Sequence, residues 1–196
     1  MAAGERNPEI HRRRSIRLRG YDYSSSGAYF VTVCTKNKEC LFGDIVDWTM
    51  RLNQAGELIH EVWDELPRHY AGIDLDIFVA MPNHIRGIIV LTDTPVVGAG
   101  LALPSGRGAA SGAPTLGHVI RTFKSITAIN VNRLLTRTGQ PLWQRNYYEH
   151  IIRNETSLDP IREYVSMNPQ NWMTDRENPA NRIAANEFEK ESEYVG

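Results

Sequence analysis

The feature that most constrains this chain is a pair of apolar runs, Asp74 to Met81 (DLDIFVAM) and Ile85 to Leu91 (IRGIIVL), set apart by Pro82-Asn83. Both are rich in the side chains that suit a pleated surface, and the Pro-Asn pair favours a turn or a break in the ladder. They read as two strands paired in a hairpin. A third strand is expected at Ala28 to Thr35 (AYFVTVCT). Residues 52–66 place Leu52, Ala55, Ile59, Val62, Trp63 and Leu66 near helical spacing, which predicts an amphipathic helix. A second helix is expected over Thr115 to Leu135 and a third from about Leu158 to Met167, ended by Asn168-Pro169. A short strand is expected at Leu142 to Tyr148, and the Gly, Ala, Pro and Ser of residues 94–113 read as a flexible insertion. Few strands interleaved with helices predict an α+β fold, an antiparallel sheet with helices on one face.

Length bounds the organisation. A chain of 196 residues and 22.2 kDa with 41% hydrophobic residues can bury one core of ordinary size. One domain is expected over residues 21–172, with an arm at 1–20 and a C-terminal tail at 173–196. The net charge of −1 and the pI of 6.6 exclude a wholly basic nucleic-acid coat. Charge is nevertheless uneven, because Arg6, Arg12, Arg13, Arg14, Arg17 and Arg19 crowd the first twenty residues against Glu5 and Glu9. Such an arm is either a solvated tail or a phosphate-binding one. Two cysteines, Cys34 and Cys40, are too few for a disulfide framework or a four-ligand zinc site. No run approaches the roughly 18 apolar residues of a membrane span, and no signal peptide is visible, so a soluble cytoplasmic protein without a membrane partner is expected.

The residues able to carry chemistry cluster in two places. In Met81-Pro82-Asn83-His84-Ile85-Arg86-Gly87, His84 and Arg86 are two apart on a strand and share a face. Tyr164 and Asn168 are four apart on the third helix and lie one above the other. A phenol can act as a nucleophile, and an amide oxygen one turn away can bind a cation. Spacing alone equally allows a packing tyrosine and a helix C-terminal asparagine.

Three blocks occur in order: Met81 to Gly87, Leu142-Trp143-Gln144-Arg145-Asn146-Tyr147-Tyr148 running on to Glu155, and Ile161-Arg162-Glu163-Tyr164 followed by Asn168-Pro169. Together they resemble the REP-associated tyrosine transposases, HUH-type relatives of the single-tyrosine insertion-sequence transposases, from about Arg14 to Trp172. The resemblance implies a ferredoxin-like sheet whose histidine–hydrophobic–histidine motif binds a divalent metal, magnesium or manganese. It implies single-stranded or hairpin DNA as partner, with a homodimer among the possible assemblies. It also implies nicking and rejoining through a phosphotyrosine on Tyr164, His84 and Asn168 as metal ligands, and Tyr147 and Tyr148 as rival nucleophiles. Arg12, Arg13, Arg14, Arg121, Lys124 and Arg145 would contact phosphate, and Trp143 would stack on a base.

One position departs from the family motif. Arg86 stands where the second histidine belongs, and a guanidinium has no lone pair to give a metal. Either metal affinity falls and the nuclease is impaired, or the guanidinium binds phosphate in the metal's stead. The expected function is therefore a metal-dependent tyrosine DNA nickase or transposase with impaired activity, the alternative being a silenced protein that binds hairpin or single-stranded DNA. An RNA-binding ferredoxin-like sheet is a third class, and the chain lacks the aromatic motif such sheets use. Deleting residues 1–19 is expected to weaken single-stranded DNA binding and to flatten the fall of log affinity with log salt, measured by titration at several salt concentrations.

Overall fold

Strand formation begins where β-branched and aromatic residues alternate between two buried faces. The computed structural model describes residues 25–92 and 114–181. The expected arm at 1–20, with Arg12, Arg13 and Arg14, and the insertion at 94–113 lie outside these residues. Strand β1 (Gly27–Cys34) pairs antiparallel with β5 (His84–Leu91) on one side and β6 (Tyr148–Ile152) on the other. Strand β4 (Ile73–Met81) pairs with β5 through the two-residue turn at Pro82-Asn83, giving the order β4-β5-β1-β6. With a helix between β1 and β4 and another between β5 and β6, this four-stranded antiparallel sheet is the ferredoxin-like α+β arrangement.

Helix α1 (Gln54–Asp64) is capped by Asn53, whose side chain accepts from Ala55 and Gly56 amides, and α3 (Leu116–Leu134) by Thr115, whose hydroxyl accepts from the His118 amide. Both cover one face of the sheet. Their Ile59, Val62, Trp63, Val119, Ile120 and Phe123 pack with Tyr29, Val31, Val33, Ile85 and Ile89 in the main core. A short helix α2 (Leu66–His69) follows α1. Helix α4 (Glu155–Ser166), capped by Asn154, lies on the opposite face, where Val165, Leu158 and Ile161 meet Phe30, Ile88 and Ile152. A register shift between Leu75 and Phe78 lets both of these side chains serve the main core while Ile77 and Val79 serve the α4 face.

Three local departures from the sequence reading have physical causes. The strand expected at 142–148 begins only at Tyr148, because residues 142–147 run past the end of β1 and touch it at the single bridge Thr35–Trp143. The hairpin of β2 (Gly43–Val46) and β3 (Thr49–Leu52) had no turn signal, since its tip is Asp47-Trp48, both at positive φ, in place of the usual Asn-Gly. Residues 173–181, expected within a tail, pack into the domain, with Asp175, Glu177 and Asn178 buried. Among the described residues no helix is long and apolar enough to cross a membrane.

Gly87 shows how tightly α1 meets the sheet. A Cβ there would lie 2.7 Å from Trp63 Cζ2 and 3.2 Å from Phe78 Cδ2. Overpacking of this kind costs about 1–3 kcal/mol. Gly87→Ala should therefore lower the urea midpoint of unfolding by a corresponding amount without changing the slope of the transition.

Candidate functional site

The α4 face of β5 carries His84 and Arg86, both buried beneath the helix and the segment that follows it. Asn83, in the turn before them, is also buried, and its side-chain amide donates to the Lys38 and Glu177 carbonyls at 3.1 and 2.8 Å. Its oxygen is thus left to accept from His84 Nδ1 at 2.8 Å, which assigns the proton to Nδ1 and a lone pair to Nε2. No partner reaches that buried Nε2. Burial, reinforced by the Arg86 charge, pulls the imidazole pKa well below its ordinary value, although Asp175, Glu177 and the neighbouring Asn168 side chain oppose the shift. His84 is neutral at pH 7.

Arg86 is 2% exposed and is held by groups brought from beyond α4. One terminal nitrogen donates to Asn168 Oδ1 and, at 2.6 Å, to Asp175 Oδ2, and the other donates to Asp175 Oδ1 at 3.3 Å. Burial alone would raise the Asp175 carboxyl, but the guanidinium and the Glu177 amide hold it below the usual carboxylate range. Tyr164, on α4, lays its ring over the guanidinium, 4.9 Å from centroid to Cζ, and is 45% exposed. The fold therefore brings His84, Arg86, Tyr164 and Asn168 together on one face.

This constellation does not fit the divalent ion that the motif implies. The Asn168 oxygen that would ligate it accepts from Arg86, and a permanent buried cation stands two residues from His84. Among the described residues no group of three His, Cys, Asp or Glu side chains is arranged to hold a metal. Nor is Arg86 placed as a free phosphate clamp, since both its terminal nitrogens are engaged by Asp175.

A second concavity lies between α3 and the segment leading into β6, with a cavity volume of about 540 Å³. Arg121, Lys124 and Arg145 line it, with Tyr147 and Glu149 on the wall. Arg121 and Arg145 are exposed. Lys124 donates to the carbonyls of Gln144 and Arg145 at 2.6 and 3.1 Å, which ties the loop to α3, and partial burial lowers its pKa. Trp143 belongs to the floor of this pocket and not to a stacking surface. It is 7% exposed, donates from Nε1 to Thr127 Oγ1 at 2.9 Å, and packs against Phe42 and Phe123.

Asp175 and Glu177 are the site residues that sequence reasoning missed. The available signal was indirect: an arginine in an apolar strand must meet a carboxylate if it is buried, yet nothing in spacing says which. Removing that partner should be costly. Asp175→Ala leaves a buried guanidinium uncompensated and is expected to destabilise by about 3–5 kcal/mol, whereas Arg86→Met combined with Asp175→Leu should recover most of the loss in chemical denaturation.

No family model matches the sequence. The chain matches a solved structure described as a REP-associated tyrosine transposase bound to a REP hairpin, with 16% identity, 80% of this chain and 73% of that chain covered, and a TM-score of 0.49. An uncharacterized protein of Haemophilus influenzae (strain ATCC 51907 / DSM 11121 / KW20 / Rd) is 40% identical over 179 residues, spanning 87% of this chain and 95% of the relative. At that identity and coverage, the chain belongs to the same protein family as the Haemophilus influenzae protein.

Proposed function

We propose that this protein is a transposase-like binder of single-stranded or hairpin DNA, with the basic pocket beside α3 as its phosphate-holding site. The observation that supports the reading is the meeting of Arg121 and Lys124 with Arg145, which lies 21 residues beyond Lys124 in the chain, around one open cavity. Three cations against the single carboxylate of Glu149 make a local positive field in a chain whose net charge is −1. The motif blocks that resemble REP-associated tyrosine transposases point to the same ligand.

A second reading, strand cleavage by Tyr164, is favoured by its exposed phenol above a guanidinium. Its oxygen would bond to phosphorus as the phosphorus–O3′ bond breaks, leaving a 5′-phosphotyrosine and a free 3′-hydroxyl. Charge on the phosphate would then have to be met by Arg86, which Asp175 already holds. Binding without cleavage is accordingly the better account.

Fluorescence anisotropy with a labelled hairpin bearing a single-stranded flank tests it. Arg121→Ala and Arg145→Ala should each weaken binding and each lower the salt slope by about one. Unaltered affinity and slope in both variants would remove the pocket from the interface. Incubation with magnesium or manganese should give no covalent adduct, and an adduct that Tyr164→Phe abolishes would establish the cleavage reading in its place.

A further inference from the structure

Two aromatic side chains on the α4 face are left half exposed although a buried ring anchors both. Tyr148, at the start of β6, and Tyr164, on α4, meet Phe30 edge-on, with centroids 6.2 and 6.1 Å away and interplanar angles of 67° and 72°. Each remains 45% exposed, while Phe30 is 7% exposed. Each also has its own guanidinium: Arg86 lies 4.9 Å from the Tyr164 centroid and Arg176 lies 5.9 Å from that of Tyr148. Tyr148 is on the edge strand, directly after Tyr147, which lines the basic pocket. The edge of the sheet thus separates a cationic cavity from an aromatic pair.

The charges differ in a way that matters. Arg86 is buried and neutralised by Asp175, so it can only hold the Tyr164 ring in place. Arg176 has a side chain that is 73% exposed, and its partner Glu177 also meets Lys38 at 2.8 Å and accepts from the Cys34 thiol. One carboxylate is therefore shared by two cations, which leaves positive charge in surplus beside Tyr148.

We propose that Tyr148 and Tyr164, bridged by Phe30, form a stacking platform for two unpaired bases of single-stranded DNA, with Arg176 positioned for the adjoining phosphate. The inference rests on the DNA-binding reading above and assigns the two tyrosines a role through their rings. Every base has a π-face, so such a platform is tolerant of sequence, and aromatic rings fixed by packing lose little freedom when a base arrives.

The test separates ring from hydroxyl and platform from pocket. Against a short labelled thymidine oligonucleotide, Tyr148→Leu and Tyr164→Leu should each weaken binding about tenfold, within the range that one stacked base contributes. Tyr148→Phe and Tyr164→Phe should restore most of what leucine loses. An oligonucleotide made abasic throughout should bind the wild type and the leucine variants alike. Thermal unfolding of each variant reports whether the domain is intact. If wild type binds the thymidine strand and the folded leucine variants bind it equally well, the platform is wrong while the DNA reading stands. If the phenylalanine variants are as weak as the leucine ones, the hydroxyls carry the contact and the platform is likewise overturned. Absence of binding by the wild type would sink both.

Discussion

The pairing of Arg86 with Asp175 is the interaction on which the arrangement of the α4 face depends. A guanidinium that is 2% exposed in the centre of a sheet would be intolerable without a counter-charge, and the carboxylate that meets it comes from 89 residues further along. Satisfying Arg86 therefore draws the segment after α4 back across the sheet. That return buries Asn168, Asp175, Glu177 and Asn178 and brings the Glu177 carbonyl to the Asn83 side chain in the β4–β5 turn. The turn in turn orients His84. One ion pair thus links the strand turn, the central strand and residues 175–178.

The same ion pair decides what the site can do. A histidine at position 86 would offer a lone pair beside His84, whereas arginine brings a fixed positive charge and consumes the Asn168 oxygen. The neutral imidazole, the engaged Asn168 oxygen and the Asp175-paired guanidinium make a buried polar cluster in which His84 Nε2, Arg86 Nε and Asn168 Nδ2 have no hydrogen-bond partner. The exposed cationic groups proposed to meet DNA lie at the periphery instead, Arg121 and Arg145 at the pocket and Arg176 beside the edge strand. Edge strand β6 lies between these two surfaces, because its alternating side chains point to opposite faces.

Much of the scaffold was legible because it follows from local periodicity. The apolar runs at 74–81 and 85–91 and the helices around Ile59 and Phe123 bury the side chains that their spacing marked. Elements without such a signature escaped. The β2–β3 hairpin turns at Asp47-Trp48, where positive φ falls on a pair without glycine, and residues 142–147 have strand composition but pair only at the single bridge Thr35–Trp143. Trp143 illustrates the ambiguity at a single position, since an aromatic that could stack on a base is equally suited to a core, and only the reach of Thr127 decides between them.

By itself the sequence determined the α+β class, the order of the four sheet strands and the three long helices, and the shared face of His84 and Arg86, because alternation along a strand and the period of a helix are properties of neighbouring residues. The resemblance to the family's motif also singled out position 86, where arginine stands in place of the expected histidine. Only the tertiary structure decided what the arginine does there. Pairing with Asp175, stacking beneath Tyr164 and the meeting of Tyr148 with Tyr164 at Phe30 all join residues far apart in the chain. No local pattern encodes such contacts. They follow from where the whole sheet and its crossing helix place the side chains, and from the cost of leaving a buried charge alone.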